Sequence, residues 1–343
     1  MSFIGYEAEL RSRGSQLRKL DAMIDWVKIE KILGKLGRSG FGPQGYEPIK
    51  LLKAIMLQSW HSLSDVQLEE ALNERLTFIH FSGFHEKIPD ATTICRFRNA
   101  LIKEKKAKQI FKAINQMFVE HGIIVKVAET AIVDATIITA AARPTNLIEL
   151  EPEQEAEAEV VQAAESEVTQ LEAVKVRQSA DCDARWLKKG KQYFFGYRMH
   201  AVSDEVGFVH AMHLTPANVA EVTQLEQALG SLRPKRLFAD KGYASKANRT
   251  ILKNKGIKNG ICYKASSYRA LSRWQHRFNS LVCRSRWRVE QVFGTIKRRF
   301  QFTRARYMGL EKVEFEAFFK LMAYNSLKAI RRCVLNFPGQ SLT

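Results

Sequence analysis

Residues 130–138 read Thr130-Ala-Ile-Val-Asp134-Ala-Thr-Ile-Ile138. The run is short, apolar and β-branched, the composition of a strand. At its centre sits one carboxylate. An acid in an apolar strand is costly if buried unpaired, so Asp134 needs a metal, a cation or solvent beside it.

The pattern changes on either side of this strand. Upstream, residues 46–121 read as helices. Pro48 opens one that carries Ile49, Leu52, Ile55, Met56 and Trp60 at core-facing spacing. Ser64 with Gln67 forms a capping-box pair for a second. Asp90 or Thr92 caps a third, which runs through Phe97, Leu101, Ile110, Phe111 and Ile114 to a stop near Gly122. This helical front suits a DNA-end-binding module or plain scaffold. Downstream, Phe194–Val202 and Phe208–Leu214 are predicted strands, Val219–Leu229 a helix, and Arg236–Ala239 a strand ending at Asp240. Ser245–Lys255 then reads as a helix, Gly260–Tyr263 as a strand and Trp287–Phe300 as a helix. Strands followed by alternating helix and strand imply an α/β fold, a mixed sheet flanked by helices. The division expected is a helical part over 1–122 and an α/β part over 123–343.

One segment interrupts the plan. Leu147–Val174 holds nine Glu and no Lys, Arg or Asp, which predicts a solvated helix or loop inserted at about 147–177. Without it the rest of the chain carries +27, against +18 for all 343 residues. Such an excess of Lys and Arg points to a polyanionic partner, nucleic acid above all. The five scattered cysteines have no zinc spacing and form no disulfide framework. The opening MSFIGYEAELRSRGS lacks a signal-peptide apolar stretch, and no run is long enough to span a bilayer, so the expected place is the cytoplasm, on the nucleoid.

The acids are informative by their scarcity. From Lys241 to Leu310 there are 18 Lys and Arg and a single acid, Glu290. A phosphate-binding surface excludes carboxylates, so one retained there has a reason: holding a divalent cation, or pairing with a base such as Arg286. At 100° per residue Arg286, Glu290 and Lys297 fall at 0°, 40° and 20° on one helix face, with Val289, Phe293, Ile296 and Phe300 as an apolar stripe beside it. Asp240 ends a short strand before Lys241-Gly242-Tyr243, where glycine permits a tight turn. Singly, Asp134 and Asp240 suit turns and caps as well as ligands. With Glu290, in so basic a context, they form a set able to hold two Mg²⁺ ions.

Here the sequence resembles the DDE transposases of bacterial insertion sequences, over about Tyr46 to Arg332 without the Glu-rich insert. The family signature Tyr-(2)-Arg-(3)-Glu-(6)-Lys is matched by Arg286, Glu290 and Lys297, with Cys283 at the Tyr position. Val133-Asp134-Ala-Thr136 resembles the first aspartate motif and Asp240-Lys-Gly-Tyr243 the second. Asp183-Ala-Arg-Trp186, Gly196-Tyr-Arg-Met-His200, Leu214-Thr-Pro-Ala-Asn218 and Asp90–Phe97 resemble other stretches of the family. The resemblance implies a ribonuclease H-like fold and cleavage at the element ends, followed by joining of the 3′-hydroxyls to target DNA. It implies Asp134, Asp240 and Glu290 as ligands of Mg²⁺, with Mn²⁺ able to substitute, and Arg286, Lys297, Arg298, Arg299 and Lys241 on the DNA backbone. Partners implied are terminal inverted repeats, target duplex and a second copy of the chain. Tyr243, Trp287 and Phe293 read as core or base-stacking residues, and His200 and Asp204 as structural. Two other readings use the same residues: a nuclease that cuts without joining, and a DNA-binding relic.

Overall fold

The computed structural model describes residues 15–34, 36, 45–124, 129–144, 146–150, 174–265, 268 and 270–336. The described part of the front is helical throughout: α1 (Gln16–Met23), α2 (Trp26–Leu33), α3 (Pro48–His61), α4 (Asp65–Glu74), α5 (Leu76–Ser82), α6 (Ala91–Lys103) and α7 (Lys106–Glu120). Pro48 stands at the first turn of α3, and the Ser64–Gln67 capping box closes in both directions at 3.1 and 2.9 Å. The single long helix expected after Asp90 is two. Asp90 does cap α6, but Lys105 adopts a left-handed φ of 51°, which stops one helix and reorients the next.

The sheet is mixed. β1 (Thr130–Thr139) pairs antiparallel with β5 (Gln192–Asp204), which pairs antiparallel with β6 (Val209–Pro216) and, at its start, with β4 (Arg185–Lys189). On its other side β1 runs parallel to β7 (Arg236–Ala239), and β7 parallel to β8 (Lys258–Ile261). Strand β4 was not expected: its one half-buried leucine stands between pairs of exposed residues, a weak signal. The Glu-rich insert falls mostly outside the described residues. Its flanks form a separate two-stranded antiparallel ladder, β2 (Asn146–Leu150) with β3 (Val174–Gln178), where a helix or loop was expected.

Alternation along β1 divides the core. Ile132 and Ile138 join one cluster, and Ala131 and Val133 the other. The first face is covered by α10 (Arg273–Arg299) and α11 (Leu310–Asn336); the second by α8 (Leu225–Leu229), α9 (Lys246–Asn254) and Tyr243. The stripe predicted on α10 is in place, with Val289, Phe293, Ile296 and Phe300 all buried. The helix itself begins fourteen residues earlier than expected, at a second capping box from Ser272 to Gln275, because its first half buries little besides Val282. The helix expected over Val219–Leu229 is instead a 3₁₀ turn (Glu221–Thr223) and short α8.

The front helices do not have a core of their own. Helix α11, buried from Phe315 to Leu327, packs against α3, α7 and β6, and the same apolar cluster runs from Leu20 and Ile55 through Phe318 to Met199. Asn325 accepts from the Val209 amide at 3.0 Å and donates to Asn115 at 2.9 Å, tying α11 to both β6 and α7. At Gly196 the β5 backbone passes so close to β1 that a Cβ would lie 2.1 Å from the Ile138 carbonyl oxygen. Among the described residues no helix is long and apolar enough to cross a membrane.

Candidate active site

Parallel pairing of β1 with β7 ends at Val133↔Ala239. Asp134 is therefore the first residue of β1 past that ladder, and Asp240 the first residue past β7. Both stand at the carboxyl end of a parallel strand, where open α/β sheets place their ligands. Asp134 has the parity of Ile132 and Ile138, so it points to the face that α10 covers.

Helix α10 brings Arg286 to that point. Its Nη2 donates to Asp134 Oδ2 at 2.8 Å, and its Nη1 lies 3.1 Å from Asp240 Oδ1. One planar guanidinium thus bridges two carboxylates that are 106 residues apart in sequence. Burial opposes the charge on Arg286, but Asp134 and Asp240 outweigh it and hold the pKa above its ordinary value. Burial raises the Asp134 carboxyl despite Arg286 and the Ala135 amide, and the neighbouring Asp240 adds to the rise. The Arg286 Nε has no acceptor, so the whole attachment runs through the two Nη atoms.

A third carboxylate near this pair is one that sequence reasoning missed. Glu221, in the 3₁₀ turn, has its carboxyl raised by burial and, beyond the opposing pull of Arg198, by Asp134 and Asp240. It lies 3.9 Å from Arg198 and presses on the Asp240–Tyr243 turn, where a Cβ at Gly242 would meet Glu221 Oε2 at 2.3 Å. The available signal was an acid between alanine and valine in the segment after a strand, hidden inside a stretch read as helix.

Glu290 stands one turn after Arg286 on α10 and is exposed. Among the described residues, no three His, Cys, Asp or Glu side chains are grouped to hold a metal ion. The structure therefore joins Asp134 with Asp240 and leaves Glu290 outside their contact. It also commits Arg286, expected on the DNA backbone, to the two aspartates, with only 10% of its side chain exposed. Lys297 is half-buried on the same helix, while Lys241, Arg298 and Arg299 are exposed.

The residues around the site have settled roles. Tyr243 is fully buried, and its hydroxyl lies 2.8 Å from His200 Nδ1. Burial, with His213 and Arg198, pushes His200 down to about 3, so it is a neutral partner. Asp204 accepts from the Gly207 and Phe208 amides and pairs with His210. Phe293 is core, whereas Trp287 is 46% exposed with Arg288 stacked 3.8 Å from its ring centre. Cys283 touches Cys262 at the end of β8, and burial with that thiol lifts Cys262 to about 11.

Residues 126–326 match the family described as Transposase DDE domain, and residues 6–100 match Transposase domain (DUF772). The chain is 37% identical over 240 residues to the transposase for insertion sequence element IS1106 of Neisseria meningitidis serogroup B, covering 69% of this chain and 77% of that protein. Among solved structures it is similar to the piggyBac transposase synaptic complex with hairpin DNA, with TM-score 0.44, 8% identity and 94% and 74% of the two chains covered. The Mos1 strand transfer complex gives TM-score 0.20 at 13% identity, with 89% and 81% covered.

Proposed function

The chain belongs to the DDE transposases of insertion sequences, and on that premise we propose that Asp134, Asp240 and Glu290 are the catalytic carboxylates of a two-metal-ion DNA cleavage and joining reaction. The observation that carries this reading is the convergence of Asp134 and Asp240, from different strands, on one cationic group at the sheet's carboxyl edge. The strand order β6-β5-β1-β7-β8, antiparallel on one side of β1 and parallel on the other, supports a ribonuclease H-like catalytic part from residue 123 onward. The helical part up to residue 122 then serves DNA-end binding and scaffold.

Oxygen donors of this kind fit a hard divalent cation, Mg²⁺ or Mn²⁺ in its place. Arg286 supplies positive charge at the point where the two carboxylates meet. When bound, such a cation supplies activation of a water or 3′-hydroxyl and stabilisation of the leaving oxygen. The chain's own contribution is positional. The β1–β7 ladder fixes the spacing of the aspartates, Arg286 holds both carboxyls in register, and Glu290 offers a third carboxylate one helical turn away. Lys297, Arg298, Arg299 and Lys241 grip the phosphate backbone of terminal repeat and target. Pairing two element ends calls for a homodimer in the active complex, working at the nucleoid.

The test incubates purified protein with Mg²⁺, a labelled terminal-repeat duplex and supercoiled target DNA, with Glu290→Gln alongside. Joined product from wild type and none from the variant is the expected result. Cleavage without joining would make the chain a nuclease. Binding without reaction, equal in both proteins, would refute the catalytic assignment.

A further inference from the structure

Asp134 and Asp240 meet Arg286 on one face of the sheet, but the turn that carries Asp240 is anchored on the other. In the pairing of β1 with β5, Asp134 stands opposite Ala201 and Ala135 opposite His200. Opposite residues share a face and successive ones alternate, so His200 points away from Asp134 and α10. It points instead into the side that buries Tyr243, with His213 and Thr215 of β6 on the same face. Past the end of β7 the chain sets Asp240 against Arg286, then tucks Tyr243 into that second face three residues later.

Tyr243 has each of its polar groups committed. Its amide donates to the Asp240 carbonyl at 3.0 Å. Its carbonyl accepts from Asn248 Nδ2 at 2.8 Å, and the same nitrogen donates to the Val222 carbonyl, next to Glu221, at 2.8 Å. Its hydroxyl has one partner among the described residues, His200 Nδ1 at 2.8 Å. That contact fixes the tautomer. With Nδ1 bare the Tyr243 O–H has an acceptor, whereas the other tautomer would strand a buried hydroxyl proton. The ring proton then sits on Nε2, 3.4 Å from Thr215 Oγ1, and the Thr215 hydroxyl in turn reaches the Arg198 carbonyl at 3.5 Å. His213, its ring centre 6.3 Å away in a stacked arrangement, holds the plane of the imidazole.

Most buried polar side chains do no more than satisfy the core. Two features set His200 apart. Its shortest contact leaves the strands and ends on the turn that carries Asp240. That turn is also blocked on one side, since a Cβ at Gly242 would lie 2.3 Å from Glu221 Oε2. Losing the hydroxyl anchor frees the unblocked side, and Asp240 shifts with the turn.

We propose that His200 is a positioning residue for the DNA reaction: through Tyr243 it sets where the Asp240 carboxylate stands relative to Asp134, without touching substrate or metal. The inference rests on the reading of Asp240 as a catalytic carboxylate. A displacement on the order of 1 Å is enough to cost about a hundredfold in rate.

The test compares wild type with His200→Leu, His200→Asn, Tyr243→Phe and the double variant His200→Leu/Tyr243→Phe, each as the full chain. Asn keeps an oxygen acceptor at the place of Nδ1, and the double variant removes both partners, so no hydroxyl is stranded. Hydrogen exchange is read at the Tyr243 and Ala244 amides in metal-free protein, and terminal-repeat cleavage over a Mg²⁺ series. His200→Leu should exchange those two amides roughly tenfold faster, while the Val209 amide held by Asn325 keeps its rate. It should bind the metal-free duplex as wild type does. It should nonetheless need roughly tenfold more Mg²⁺ for half-maximal cleavage and cut about a hundredfold more slowly at saturation. His200→Asn should recover most of both losses, and the double variant should be no slower than the slower single one. Unchanged exchange in His200→Leu, no recovery with Asn, or losses that add in the double variant would overturn the positioning role. If wild type joins DNA and His200→Leu matches it, only that role falls. If exchange behaves as expected but wild type neither cleaves nor joins, the functional reading falls.

Discussion

Arg286→Met removes the one cation that, among the described residues, contacts both aspartates, while keeping an unbranched side chain of similar reach. Asp134 exposes 14% of its side chain and Asp240 34%. Taking one partner from a buried ion pair costs about 3–5 kcal/mol. Asp240 is a third exposed and screened, so its share is under about 1 kcal/mol, and Asp134 carries most of the loss. The expected deficit in metal-free buffer at mildly alkaline pH is about 3 kcal/mol, or about 4 °C in Tm for a chain of this length. The sign with pH follows from Asp134. Its folded pKa is already raised and rises further without Arg286, so the deficit is absent below the ordinary carboxylate pKa and grows as pH climbs through the raised one. Divalent cation should then return about 2.7 kcal/mol to the variant at a hundredfold excess over Kd. Wild type should gain less, because there the ion competes with Arg286. The assay is thermal unfolding of both proteins at two pH values, with and without Mg²⁺. A deficit below about 1 kcal/mol, or equal gains from Mg²⁺, would refute the account of Arg286 as the counter-ion of the pair.

Two further outcomes are expected. Lys320 is buried on α11, donates to Ser62 Oγ at 2.9 Å, and is pushed down to about 8 by burial despite Glu316. Its folded pKa is depressed, so its contribution to stability is present above the ordinary lysine value and lost as pH falls toward 8. The stability of wild type minus that of Lys320→Met should therefore rise by up to about 3 kcal/mol between pH 8 and 10.5, and a flat difference in denaturant midpoints would contradict this. Gly196→Ala sets a methyl against the Ile138 carbonyl oxygen, a backbone atom that cannot swing aside. It should cost about 3 kcal/mol, and a loss under about 1 kcal/mol by urea unfolding would show that β5 and β1 can separate there.

The sequence was most legible where period and chemistry coincide. β1 announces itself by a β-branched apolar run and β5, β6 and β7 by apolar stretches between turns, with β7 at its expected residues. The acids stood out because so few survive in a basic stretch. The parts that were illegible depend on contacts distant in sequence. Glu221 matters only through its proximity to Asp134 and Gly242, and Arg286 only through two carboxylates on other strands. Strand β4 is stabilised by pairing with β5 rather than by its own pattern. The front of α10 shows no apolar stripe because little covers it, though Ser272 and Gln275 marked its true start.

Helix α11 occupies the last stretch of the described chain and supplies the surface on which α3, α7 and β6 meet. Because synthesis proceeds from the amino terminus, the ribosome has made the other described helices and the sheet before that surface exists. Until then the helices and the sheet expose the apolar faces that α11 will cover. A nascent or frameshifted chain ending before Leu310 would leave both halves sticky and open to proteolysis. Translation of α11 is thus a checkpoint: only a chain that carries it can cover the apolar faces of α3, α7 and β6 together.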